Sequence, residues 1–144
     1  MSPEQRQRVV EETLRWERTP YHHRACVRGV GADCAMMPLG VYKAVGLVPL
    51  DAQPEPYSLQ WHLHRGEERY LNFVERYATP VAVPLPGDLV VFKMARLYAH
   101  GAIVLAWPEV MHAHLPSGVV ERASVEHGVL QGRAFKAYTL GEVA

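Results

Sequence analysis

A chain of 144 residues with 49% hydrophobic and 21% charged side chains has the composition of one globular domain, expected to span 1–144, and leaves no room for a second core. Fifteen basic and fifteen acidic residues cancel, which argues against a nucleic-acid or anionic-membrane partner, since both need a basic excess. No apolar run approaches the roughly 20 residues of a transmembrane helix, and two cysteines are too few for a disulfide scaffold.

Ser2-Pro3-Glu4-Gln5 reads as a helix start, with Ser2 as N-cap, Pro3 in the first turn and Gln5 as capping-box partner. Val9, Val10, Thr13 and Leu14 give the stripe of that helix, Glu11 and Glu12 its solvated face, and Thr19-Pro20 its end. Residues 21–33 contain Gly29 and Gly31 without a clear period and read as a loop. An apolar stretch from Cys34 to Val48 predicts a buried helix ending near Gly46, and residues 49–58, with three prolines, form a connector. Glu67 to Ala78 carries Tyr70, Phe73, Val74 and Tyr77 at helical spacing and is closed by Pro80. After Pro86-Gly87, five β-rich runs follow: Asp88–Met94, Gly101–Trp107, Val110–His114, Gly118–Arg122 and Ala134–Leu140. Helices first and antiparallel strands after is an α+β pattern, with N-terminal helices packed on a sheet of about five strands.

Cys34 follows Gly31-Ala32-Asp33 and opens the second helix, where the helix dipole favours thiolate over thiol. Cys26 lies in the loop with no helix behind it and is the weaker nucleophile. A thiolate needs a base, and the base an orienting partner. His100 heads one strand and His112 lies in the next. A two-residue loop at Pro108-Glu109 would put His112 opposite Leu105, facing away from His100, whereas a longer loop or a bulge would restore the facing. The pairs His62/His64 and His112/His114 each place two imidazoles on one strand face, but no third ligand at a metal-binding spacing accompanies them. With no glycine-rich phosphate loop either, no cofactor and no metal is expected.

Tyr21, Gly29–Cys34 (GVGADC), Pro86–Phe92 (PGDLVVF), His100–Val104 (HGAIV) and Met111-His112-Ala113 resemble, in that order, the NlpC family of papain-like cell-wall cysteine peptidases. The likeness runs from about Arg15 to Glu121. The wording YHH…GVGADC and PYS-x-x-W resembles the branch encoded with phage tails and gene transfer agents. The resemblance implies an NlpC-type fold with Cys34 as nucleophile, His100 as base and His112 as orienter, twelve residues beyond His100. It implies Tyr21 and the Cys34 backbone N–H as oxyanion donors, with Asp33 beside Tyr21 on the oxyanion and substrate side. Where the family has Ser-Gly after the cysteine this chain has Ala35-Met36, and Pro38 fits the helix only if it starts near Ala35 or bends.

The expected activity is hydrolysis of amide bonds in peptidoglycan stem peptides, in a protein associated with a phage tail. Its partners would be the peptidoglycan peptide and other tail-tip proteins. The N-terminus MSPEQRQRVVEETLRWER lacks the apolar core of a signal peptide, as expected of a protein made in the cytoplasm and carried out on a virion tail. Three alternatives stay open: a structural tail component with a vestigial site, a histidine-metal hydrolase, and an acyltransferase on the same fold. His114 is the alternative third catalytic residue.

Overall fold

The computed structural model describes residues 1–54 and 68–141. The expectations for His62, His64, PYS-x-x-W, Glu67 and the second half of the proline-rich connector lie outside those residues.

The chain opens with α1 (Pro3–Arg15), capped as the sequence predicts: Ser2 Oγ accepts from the Gln5 N–H at 3.1 Å and Gln5 Oε1 accepts from the Ser2 N–H at 2.8 Å. Its buried face differs from the expected one. Val9, Glu12 and Thr13 are buried and Leu14 is exposed. Glu12 turns inward because its carboxylate finds partners there: Trp16 Nε1 donates to it at 2.8 Å and Arg28 Nη1 at 2.9 Å. A buried carboxylate with both a neutral donor and a cation is satisfied, which no local pattern around Glu11-Glu12 announces.

Residues 21–33 contain a small antiparallel ribbon, β1 (Cys26–Val27) against β2 (Gly31–Ala32). Next comes α2 (Met36–Ala44), shorter than the apolar run that predicts it, with Ala35 as N-cap. Pro38 is therefore the third helical residue, where its missing N–H has no intrahelical partner to lose. Gly40 of α2 has Trp16 packed against it so closely that an added Cβ would fall 2.6 Å from Cζ2 of the indole. The helix α3 spans Arg69–Glu75 and buries Tyr70, Leu71, Phe73 and Val74.

The six-stranded antiparallel sheet has the order β3-β8-β4-β5-β6-β7. Its strands are β3 (Ala78–Val81), β4 (Leu89–Met94), β5 (Leu97–Ala106), β6 (Glu109–His114), β7 (Val119–Ser124) and β8 (Phe135–Leu140). The strand not expected is β3. It contains Pro80 and sits at the sheet edge beside β8, the position where a strand tolerates a residue that cannot donate to a ladder. One sheet face, with Val91, Ile103, Met111 and Tyr138, packs on the helices; the other, with Val90, Phe92, Val104 and Val110, packs on Leu130 of a 3-10 turn.

Pro86-Gly87-Asp88 fastens these layers together. Gly87 adopts a positive φ of 90°, close against α1, and its carbonyl accepts from the Tyr42 hydroxyl of α2 at 2.8 Å. Asp88 is fully buried and accepts from Arg6 Nη1 at 2.8 Å and from the Leu85 N–H at 2.9 Å. This motif positions helices on the sheet.

Candidate active site

Cys34 sits between β2 and α2, in a strand-turn-helix connection. The free N–H groups at the start of α2 are taken by its neighbour: Asp33 Oδ1 accepts from Ala35 N at 3.1 Å and from Met36 N at 2.9 Å. Asp33 Oδ2 accepts from Arg24 N at 2.7 Å. Asp33 is buried, with three backbone N–H groups on its oxygens and His23 Nδ1 3.8 Å from Oδ2, and what it contributes at the sulfur is negative charge. Burial first, and Asp33 second, push the Cys34 thiol up to about 12. The helix dipole expected to favour thiolate serves the Asp33 carboxylate instead. Burial and the Asp33 charge thus both favour the thiol, so Cys34 depends on a base to act as a nucleophile.

Tyr21 is delivered to the same spot by its backbone. Tyr21 N donates to Gly118 O at 2.7 Å and Ala32 N donates to Pro20 O at 3.0 Å, tying this segment to β2 and to the turn before β7. The Tyr21 hydroxyl hydrogen-bonds to Cys34, which favours the thiolate. The thiol also points to Ala99 O, 3.8 Å from Sγ. Ala99 is the extra residue of a β-bulge: β4 pairs Phe92 with His100 and Lys93 with Tyr98. Bulges of this kind re-aim side chains beside functional sites, and His100 is the next residue along.

The two histidines meet. His100 Nε2 and His112 Nδ1 are 2.7 Å apart, with both rings buried. A second bulge allows it. Ala106 pairs with Glu109 across the Trp107-Pro108 turn, and that register, if continued, would turn His112 to the wrong face. Leu105 is left over, and beyond it Val104 pairs with Val110 and Ile103 with Met111. One further step sets His112 level with Ala102, on the face that carries His100. His114 stacks on His112 with ring centroids 5.2 Å apart and bonds Glu121 Oε1 at 3.1 Å through Nδ1.

Tyr21, Cys34, His100 and His114 line one cleft of about 270 Å³, with apolar Met94, Leu115, Pro116 and Val129 and the cation Arg133 completing its wall. His112 stands behind His100. The nearby Cys26 donates through Sγ to Met36 O at 3.2 Å, and both cysteines are free thiols.

Neither a family sequence model nor a curated protein matches the sequence. Solved structures do. The NlpC/p60 domain of the peptidoglycan hydrolase SagA matches with a TM-score of 0.61 at 19% identity, over 94% of this chain and 98% of that one. A Staphylococcus aureus protein described as similar to a lipoprotein of the NLP/P60 family matches with a TM-score of 0.66 at 18% identity, over 99% of this chain. NlpC1 from Trichomonas vaginalis matches with a TM-score of 0.68 at 12% identity, over 96% of this chain. The chain has the NlpC/P60 fold. It spans 43% and 44% of the lengths of those last two chains.

Within this NlpC/P60 fold, Gly101 sets how closely α2 approaches the sheet. A Cβ there would collide with the Tyr70 hydroxyl and come within 3.1 Å of the Cys34 carbonyl and 3.3 Å of Pro38 Cγ. Overpacking of this kind costs about 1–3 kcal/mol, and here it would push Cys34 away from His100. Gly101→Ala is expected to lower stability by that amount, read as a lower urea midpoint. A variant as stable as the parent protein would contradict the tight approach.

His112 gives the fold an acid-sensitive point. Burial first, and His114 second, push its imidazole down to about 4 against the raising pull of Glu121. Above the unfolded value of about 6.5 both states are neutral there and the contribution to stability is fully present. As pH falls from that value to about 4 the unfolded chain takes up a proton that the folded chain refuses, so stability is lost, by about 3 kcal/mol at most. Urea unfolding in chelator-containing buffer should show this loss between pH 6.5 and 4, and His112→Gln should flatten it. An unchanged slope in the variant would contradict the buried neutral imidazole.

Sequence reasoning passed over Arg133. It lies in the turn before β8, donates through Nε to Val129 O at 2.9 Å and through Nη1 to Lys93 O at 3.3 Å, and so brings a fixed positive charge to the cleft. An isolated arginine in a glycine-containing turn carries no local signal of such a role.

Proposed function

We propose that residues 1–144 form one cysteine peptidase domain that hydrolyses amide bonds in peptidoglycan stem peptides through Cys34, His100 and His112. The observation that carries this reading is the 2.7 Å contact between His100 and His112 beside a cleft that His100 shares with Cys34 and Tyr21. His100 takes the Cys34 proton and the thiolate attacks the amide carbonyl. The Cys34 N–H and the Tyr21 hydroxyl face the resulting oxyanion, with the Asp33 carboxylate holding the turn that carries them. The imidazolium, steadied by neutral His112, then protonates the leaving amine. Water activated by His100 clears the thioester and regenerates the thiol.

Arg133 has a place in this scheme. Stem peptides carry free carboxylates, and a guanidinium has five N–H donors, of which the two backbone contacts occupy only part. Arg133→Ala should therefore raise KM about tenfold or more and change kcat less, the signature of lost ground-state binding. An unchanged KM would remove it from the substrate site.

The phage-tail setting, with synthesis in the cytoplasm, incorporation beside other tail-tip proteins and use in cell-wall penetration, rests on the resemblance of YHH…GVGADC to that branch. Digestion of purified peptidoglycan followed by mass analysis of the fragments tests the chemistry. Hydrolysis of an amide leaves the glycan intact and creates one new amine and one new carboxylate per cut. New reducing sugar ends, or no fragments, would contradict the proposal.

A further inference from the structure

Among the described residues, His112 Nε2 is a buried side-chain nitrogen with no hydrogen-bond partner. The other nitrogen of that ring is committed to His100 at 2.7 Å. Two further ligating side chains stand beside the His112 ring. His114 lies two residues along β6, on the same face, and Glu121 is the direct cross-strand partner of His112 on β7. One donor atom from each of His112, His114 and Glu121 lies within 4.8 Å of the other two. Two imidazoles and one carboxylate suit a borderline divalent ion such as zinc, which completes a tetrahedron with water.

We propose that His112, His114 and Glu121 form a regulatory site for a zinc-class divalent ion, and that its occupancy switches the hydrolase off. The switch, though not the metal site, rests on the Cys34–His100 reading above.

Tetrahedral zinc at about 2.0–2.1 Å from each donor needs the three atoms closer together than they stand. His114 and Glu121 are the side chains that can move, being 20% and 41% exposed. His114 must also leave its stack on His112, where the ring planes differ by 15°, because an imidazole lone pair lies in its own ring plane. Buried His112 supplies the fixed ligand.

The switch works through tautomers. For His100 to serve as base through Nδ1 in the metal-free enzyme, its Nε2–H donates to His112 Nδ1 across the 2.7 Å contact, which puts the single His112 proton on Nε2. A metal coordinates an unprotonated nitrogen, so binding at Nε2 moves that proton to Nδ1. His112 Nδ1–H then donates to His100 Nε2, which must give up its own proton. The His100 proton relocates to Nδ1, the nitrogen that would otherwise receive the Cys34 proton. No net proton is released, yet the base is lost. The ion's charge also opposes imidazolium formation next door.

Zinc titration of the Cys34→Ala protein by calorimetry tests the site, with the nucleophile removed as a competing ligand. One zinc per chain is expected, with affinity lowered at least about tenfold in a Glu121→Gln background, no less than the loss of an outer partner costs. Nitrogen NMR of the imidazoles should show the His112 proton on Nε2 without zinc and on Nδ1 with it. In the Cys34-containing protein, zinc should stop hydrolysis reversibly on chelation, and Glu121→Gln should need at least tenfold more zinc to halve its own zinc-free rate. Absence of binding, or equal affinity with and without Glu121, would overturn the site. Glu121-dependent binding with undiminished hydrolysis would overturn the switch. Glu121-dependent binding in a protein that never hydrolyses peptidoglycan would sink the hydrolase reading and leave the site standing.

Discussion

Cys34→Ala is expected to abolish hydrolysis of purified peptidoglycan, with kcat/KM falling by at least about a thousandfold, while the fold stays intact. No general base can replace a missing nucleophile, so the loss should match that of an empty site. The cost to the fold is small: the change removes one sulfur, and even a fully buried side chain of this size contributes only about 1–3 kcal/mol. The Sγ contact to Ala99 O is long, at 3.8 Å. Near-native circular dichroism with a modestly lowered urea midpoint would separate lost chemistry from lost structure. Cys26→Ser should keep most of the activity, since a hydroxyl can still donate to Met36 O. Full lysis by Cys34→Ala would end the cysteine-peptidase account.

His100→Ala should be nearly as damaging, because nucleophile and base act as one unit and their losses do not add. General-base catalysis alone accounts for about 10²–10⁴ in rate. The double variant with Cys34→Ala should be no worse than either single change. His112→Ala should cost less than His100→Ala, since an orienter tunes its partner and takes no proton from the thiol. His112→Asn should recover part of the loss, as an amide oxygen can accept from His100 Nε2. A greater loss in His114→Ala than in His112→Ala would move the orienting role one residue pair along β6.

Where local chemistry decides structure, the sequence could be read. Ser2 and Gln5 close a capping box within four residues, Pro38 sits where a helix from Ala35 admits it, and Tyr70, Phe73 and Val74 mark the buried face of α3. The α+β order followed from the switch of hydrophobic period after Pro86. Features that depend on a distant partner could not be read. Glu12 is buried because Trp16 and Arg28 reach it, and the strand through Pro80 exists because β8 offers an edge. At the candidate site the residue types were legible and their facing was not. The Leu105 bulge decides which side of the sheet His112 takes, and a bulge has no composition. The direction of the Cys34 shift could not be read either, because it turns first on how deeply the thiol is buried and only then on the Asp33 charge beside it. Arg133 and Glu121 come to the site from elements far along the chain.

The claim that Cys34 is the nucleophile is tested most directly by partial alkylation with iodoacetamide at neutral pH, mapped by mass spectrometry and plotted against remaining hydrolysis. Burial raises both thiols, so thiol acidity alone gives Cys34 no advantage, and its reactivity must come from His100. The account predicts that Cys34 is modified before Cys26 and that activity falls in proportion to the fraction of Cys34 alkylated. Modification of Cys26 first, with activity following that residue or following neither, would contradict it.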